Sequence, residues 1–147
     1  MPLTRTPHWA TRELHQFLLD RAPLPFAWGT NDCSLFAADA IQSFTGVDLA
    51  ADFRGKYTDE ASAMALVKKV TGTGTIESAA AYCAQKQSLS EYQHPLMAKR
   101  GDLALVQNGD TGVISGIVHL NGRHVVTVGQ RGLLRISILH IKRAWAI

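Results

Sequence analysis

Cys33 is the residue whose type and setting best suit nucleophilic chemistry. It follows Asp32 and opens an apolar run, Cys33-Ser34-Leu35-Phe36-Ala37-Ala38 and onward to Phe44. Leu35, Phe36, Ala40, Ile41 and Phe44 recur at helical spacing, which predicts a helix with one buried face. Asp32 is expected to cap this helix and Gly46 to end it. Cys33 then lies in the first turn, where free N–H groups and the positive end of the helix dipole favour a thiolate. A thiolate presented this way attacks carbonyl carbon when a base stands beside it. Two observations oppose that chemistry. Free cysteine is among the most buried residue types and packs as a small hydrophobe. The neighbouring Asp32 carboxylate raises the thiol pKa, against the dipole.

The base would have to be a histidine. His8 falls at a helix start, His15 in a helix and His94 in a loop. His119 and His124 flank Asn121-Gly122, the strongest hairpin signal in the chain. A two-residue turn there makes Leu120 face Arg123 and His119 face His124. This pair has two readings, a base for Cys33 or an exposed cross-strand pair. A metal held by two histidines alone is under-coordinated, and Cys33 and Cys83 are too few for a thiolate site. No metal and no cofactor are therefore expected. Asp39, Asp48 and Asp52 read as solvated or turn residues.

The elements that would position these groups follow in order. Thr6-Pro7 reads as cap and first position of a helix running to about Arg21. Ala22-Pro23-Leu24-Pro25 breaks it, and the Cys33 helix follows. Val47 to Tyr57 reads as an irregular surface connection. Thr58 starts a third helix, with Lys68 and Lys69 in its last turn and Gly72 beyond. Thr75 caps a fourth, to about Gln85, in which Cys83 reads as packing. After a loop from Ser88 to Lys99 the period changes to two. Strands are predicted over 103–107, 113–120, 123–128, 133–138 and 143–147. Helices first and a small antiparallel sheet second make an α+β fold. One domain spans 1–147, helical to about residue 99 and sheet from about 100.

The 147 residues are 46% hydrophobic and 18% charged, as in an ordinary globular domain. No run is long enough to span a membrane. Two cysteines do not make a disulfide framework. The net charge of +3 comes without a dense basic cluster, so nucleic acid is not an expected partner. The first residues, MPLTRTPHWATREL, lack an apolar signal segment. The expectation is a chain made in a cytoplasm and kept there unless something carries it out.

The segment Phe26, Trp28-Gly29, Asp32-Cys33-Ser34 resembles the nucleophile region of the NlpC-type cell-wall peptidases. Arg100-Gly101-Asp102-Leu103 is similar to the Gly-Asp-Leu that opens their first core strand. The similarity is closer to a phage-borne branch, through the stretch from Phe26 to Tyr57 and a final Arg-Ala-Trp strand. The resemblance implies a papain-like fold, with a central Cys-bearing helix on a small antiparallel sheet or partial barrel. In active members Cys33 would attack a peptide amide and form an acyl-enzyme. The family's histidine would fall on or near Ile114, before Ser115-Gly116-Ile117, and its orienting residue near Val126. The upstream tyrosine is replaced by Phe26. Neither Ile114 nor Val126 can move a proton.

Two functions follow from the resemblance. One is a bacteriophage tail protein, structural or for assembly, on a degenerate peptidase fold. Its partners would be other tail proteins and its place the virion tail, after synthesis in the host cytoplasm. The other is an active endopeptidase cutting the peptide cross-links of bacterial peptidoglycan. A cytoplasmic amidohydrolase or toxin-like effector is a third reading.

Overall fold

The computed structural model describes residues 2–147. A π-helical turn, Trp9–Glu13, leads into helix α1, Leu14–Arg21. Helices α2 (Cys33–Thr45), α3 (Glu60–Thr71) and α4 (Ile76–Lys86) follow. The strands are β1 (Leu103–Gln107), β2 (Val113–Val118), β3 (His124–Gly129), β4 (Gly132–Ser137) and β5 (Ile141–Trp145). They form one antiparallel sheet in the order β4-β3-β2-β1-β5. The protein is α+β. The strands β4 and β5 are at the edges of the sheet. Among the described residues no helix is long and apolar enough to cross a membrane.

Helix α2 is the central element because its sequence is apolar on nearly every side. Leu35, Phe36, Ala40, Ile41 and Phe44 are all essentially inaccessible. Alternation along the strands gives the sheet two faces. Leu103, Leu105, Ile117, Val126 and Val128 pack with α2. Ala104, Val106, Val118 and Val125 point the other way, under Tyr92, Ala98 and Ile138. Gly46 ends α2 in the left-handed region at φ 75°, and its N–H donates to the Gln42 carbonyl.

Asp102 ties the two ends of the chain to the sheet. Its buried carboxylate accepts from Arg5 Nη2 (2.9 Å), the Tyr92 hydroxyl (2.7 Å), Lys99 N (2.8 Å) and Ile147 N (3.0 Å). The Gly-Asp-Leu stretch is thus a structural clamp, with its charge matched by hydrogen bonds and one guanidinium.

Several boundaries differ from the sequence reading. The first helix starts at Trp9, not Pro7; Thr6 contributes its carbonyl, which accepts from Trp9 N at 3.2 Å. Asp59, not Thr58, caps α3, because its side chain and that of Ser62 close a reciprocal capping box. The connection from Val47 to Tyr57 is no surface excursion: Leu49, Ala50 and Phe53 are buried. Strand β2 stops at Val118, where the turn around Asn121 begins.

Candidate functional site

Cys33 heads α2 and is 5% exposed. The turn before it is held by Asp32. Asp32 Oδ1 accepts from Leu35 N at 2.9 Å, closing the helix N-terminus. Oδ2 accepts from Gly29 N at 3.1 Å and from the Tyr57 hydroxyl at 2.5 Å. Gly29 sits at φ +81°, and a Cβ there would stand 2.5 Å from the Tyr57 carbonyl oxygen. Glycine is therefore required at the Trp-Gly turn by backbone conformation and by close approach. Trp28 lies edge-on to Phe26, with ring centroids 5.0 Å apart.

The sheet residue that meets Cys33 is Ser115. Its hydroxyl stands 3.3 Å from that of Ser34, and its carbonyl accepts from Thr127 Oγ1 at 2.8 Å. Ile114, on or near which the resemblance would put a base, does not face the thiol. Ile114 belongs to the opposite face of β2, packed with the Val106 and Val118 cluster. Val126 is fully buried against α2. Burial pushes the Cys33 thiol up from its ordinary value, and the Asp32 charge adds to the rise. Hydrogen bonding by Ser115 and Ser34 opposes this without reversing it. Burial and the Asp32 charge thus disfavour the thiolate.

Beside Cys33 a largely apolar cavity of about 60 Å³ runs between α2, α3 and α4. Trp28, Asp32, Ser34, Tyr57 and Ser115 stand around it with the thiol, and Cys83 also lines it. Burial pushes the Cys83 thiol up to about 12. Among the described residues no histidine lines this cavity.

His119 and His124 lie together at the hairpin, where His119 N donates to the His124 carbonyl at 2.7 Å. The His119 ring accepts from Asn121 N at 3.0 Å, and the His124 ring lies 2.9 Å from Asn121 Nδ2. His119 shares the face of Ser115 but lies four residues further along, about 13 Å at strand rise. Burial, followed by the charges of Arg135 and His124, lowers the His119 pKa. Among the described residues no group of three or more His, Cys, Asp or Glu is arranged to hold a metal ion.

Tyr57 and Ser115 are the two site residues that sequence reasoning did not single out. Tyr57 ends what looked like a surface connection, and its hydroxyl enters the site from a loop. Asp39 also differs from its reading as a solvated residue. It sits between Arg21 Nη2 (2.5 Å) and Arg54 Nη2 (2.6 Å), with a side chain 13% exposed. Arg54 also grips Asp48 at 2.8 Å. These pairs fasten α1 and the 48–57 loop onto α2, and so hold Tyr57 in place.

The fold and site together define an α+β protein built around a cysteine-headed helix. The chain belongs to the family described as Domain of unknown function (DUF6950), whose model matches residues 4–147. No curated protein matches the chain.

Proposed function

We propose that this chain is a structural or assembly protein of a bacteriophage tail, on an NlpC-type papain-like fold without the proton-transfer machinery. The observation that carries the reading is Ser115, which occupies the sheet position against the Cys33 thiol. A serine hydroxyl does not take a proton from a thiol near neutral pH. The thiol is also buried and its thiolate disfavoured, opposite to what a nucleophile needs. Asp32 and Tyr57 satisfy each other's hydrogen bonds and serve to close the α2 N-terminus. The site residues then act in packing. The tail assignment draws on the likeness of the Phe26 to Tyr57 stretch to the phage-borne branch, and the partners are other tail proteins.

The experiment pairs two measurements. Purified tails are probed for the chain by mass spectrometry, and the purified protein is incubated with peptidoglycan sacculi. The expected result is a chain that copurifies with tails and releases no peptide from sacculi. Release of cross-link peptides that stops on Cys33→Ala would replace this reading with the endopeptidase. Absence of the chain from tails and from tail-assembly intermediates would remove the structural assignment.

A further inference from the structure

The cavity beside Cys33 is chemically asymmetric. Its body is lined by Ala37, Ala38, Ala50, Ala63, Ala79 and Ala80, from α2, α3, α4 and the 48–57 loop. Protein interiors pack densely and keep few voids larger than a water. This one holds about 60 Å³, several times the ~10–15 Å³ that one water needs. The pocket is part-open rather than sealed, and its mostly apolar walls favour the apolar part of a ligand. At one end polar groups converge: the hydroxyls of Ser34, Ser115 and Tyr57, and the Cys33 thiol. An apolar body with a few convergent polar groups is the usual make-up of a small-molecule site. Trp28, Met64, Ile76 and Cys83 are only half-buried, so the lining reaches toward the surface.

The charges around the cavity select the head group. Among the described residues no Lys, Arg or His lines it, whereas Asp32 does. A ligand carboxylate would put a second negative charge beside Asp32 in a water-poor site with no cation. An ammonium would find the Asp32 oxygens already taken by Leu35 N, Gly29 N and the Tyr57 hydroxyl. Hydroxyls at Ser34 and Ser115 can both donate and accept. We infer that this cavity binds a short unbranched aliphatic chain bearing an uncharged hydrogen-bonding head, the chain among the alanines and the head at Ser34 and Ser115.

The test uses n-pentanol and n-pentanoate as probes of equal chain length, titrated into the full chain and followed by NMR. The expected result is saturable binding of n-pentanol, with shifts confined to the Met64 methyl, the lining alanines and their neighbours. n-Pentanoate should bind roughly tenfold more weakly or worse. Ala79→Leu and Ala63→Leu, which fill the cavity, should each abolish the shifts in a protein whose spectrum stays dispersed. Shifts scattered over the surface, no saturation, equal binding of the two probes, or full binding by a folded filled variant would each overturn the assignment. Should both variants fail to fold, the shift map and probe ratio of the unaltered protein decide alone.

Discussion

The Tyr57 hydroxyl donates to Asp32 Oδ2 at 2.5 Å, across 25 residues of sequence, beside the Cys33 thiol. Through this bond the loop after α2 closes the turn before it. Tyr57→Phe leaves Asp32 Oδ2 with the Gly29 N–H alone. The expected loss is ~1–3 kcal/mol, the usual range for a hydrogen bond to a charged group. Thermal unfolding of the variant checks it. No change in melting temperature would mean that Tyr57 does not brace the site.

Gly29 carries a separate expectation. Gly29→Ala adds a Cβ 2.5 Å from a backbone oxygen at a residue with φ +81°. The clash is with main chain, so neither partner yields cheaply. The strain alone is worth ~1–3 kcal/mol. The variant should unfold at a clearly lower temperature than Gly46→Ala, where a Cβ would meet nothing within 4 Å. Equal effects at the two positions would contradict the close approach.

Asp39 joins α1, α2 and the 48–57 loop through two arginines. Asp39→Ala takes from Arg21 its carboxylate partner and leaves Arg54 with Asp48 alone. The arginine side chains are 24% and 36% exposed, which reduces the cost to ~1–3 kcal/mol, below that of a fully buried pair. Because Arg54–Asp39 is the ion pair that joins the loop to α2 while Arg54–Asp48 lies within the loop, the variant should lose amide exchange protection between residues 48 and 57 first. Uniform loss of protection across the sheet would point to a global role instead.

Much of this framework was legible in the sequence, and the losses have physical causes. Asp32 and Gly46 bound α2 because capping and left-handed glycine are local effects. Alternating residues after Gly101 gave five strands. His119 does lie opposite His124, but the turn closes by Gly122 N–H on the His119 carbonyl rather than as a two-residue Asn121-Gly122 turn. The 48–57 loop was misread because no period marks its burial. Leu49, Ala50 and Phe53 are covered by α3 and α4, which is tertiary information. Ser115 faces Cys33 while its neighbour Ile114 does not, because a strand's two faces are separated by a single step. Tyr57 was missed because its partner is 25 residues away.

Both thiols are pushed above their ordinary value of 9.0, Cys83 to about 12. A thiol that keeps its proton longer when folded contributes stability that is fully present below the unfolded pKa. That contribution is lost as pH rises from there through the folded pKa. The melting temperature should therefore fall from about pH 9 upward. Tyr92, raised to about 12, adds to the fall above its ordinary 10.0. Between those two onsets, Cys33→Ala with Cys83→Ala should fall less steeply than the unaltered chain. Identical slopes would show that the thiols ionise alike in both states.

Cys33→Ala removes a small buried group that meets Ser115 of the sheet. It should cost on the order of 1 kcal/mol, and under the proposed tail role phage assembly should survive it. Cys33→Ser should cost about the same, because Ser115 and Ser34 offer its hydroxyl partners. Abolished infectivity in Cys33→Ala, with an unchanged melting temperature and intact particles, would assign Cys33 to chemistry.

The rate of Cys33 alkylation by iodoacetamide against pH tests the central claim most directly, with Cys83→Ala as the background so that one thiol is read. A buried thiol without a base should react slowly through pH 8, with a rate still rising above the ordinary value of 9.0. A fast plateau below pH 7 would contradict the account, because it requires a stabilised thiolate at the head of α2.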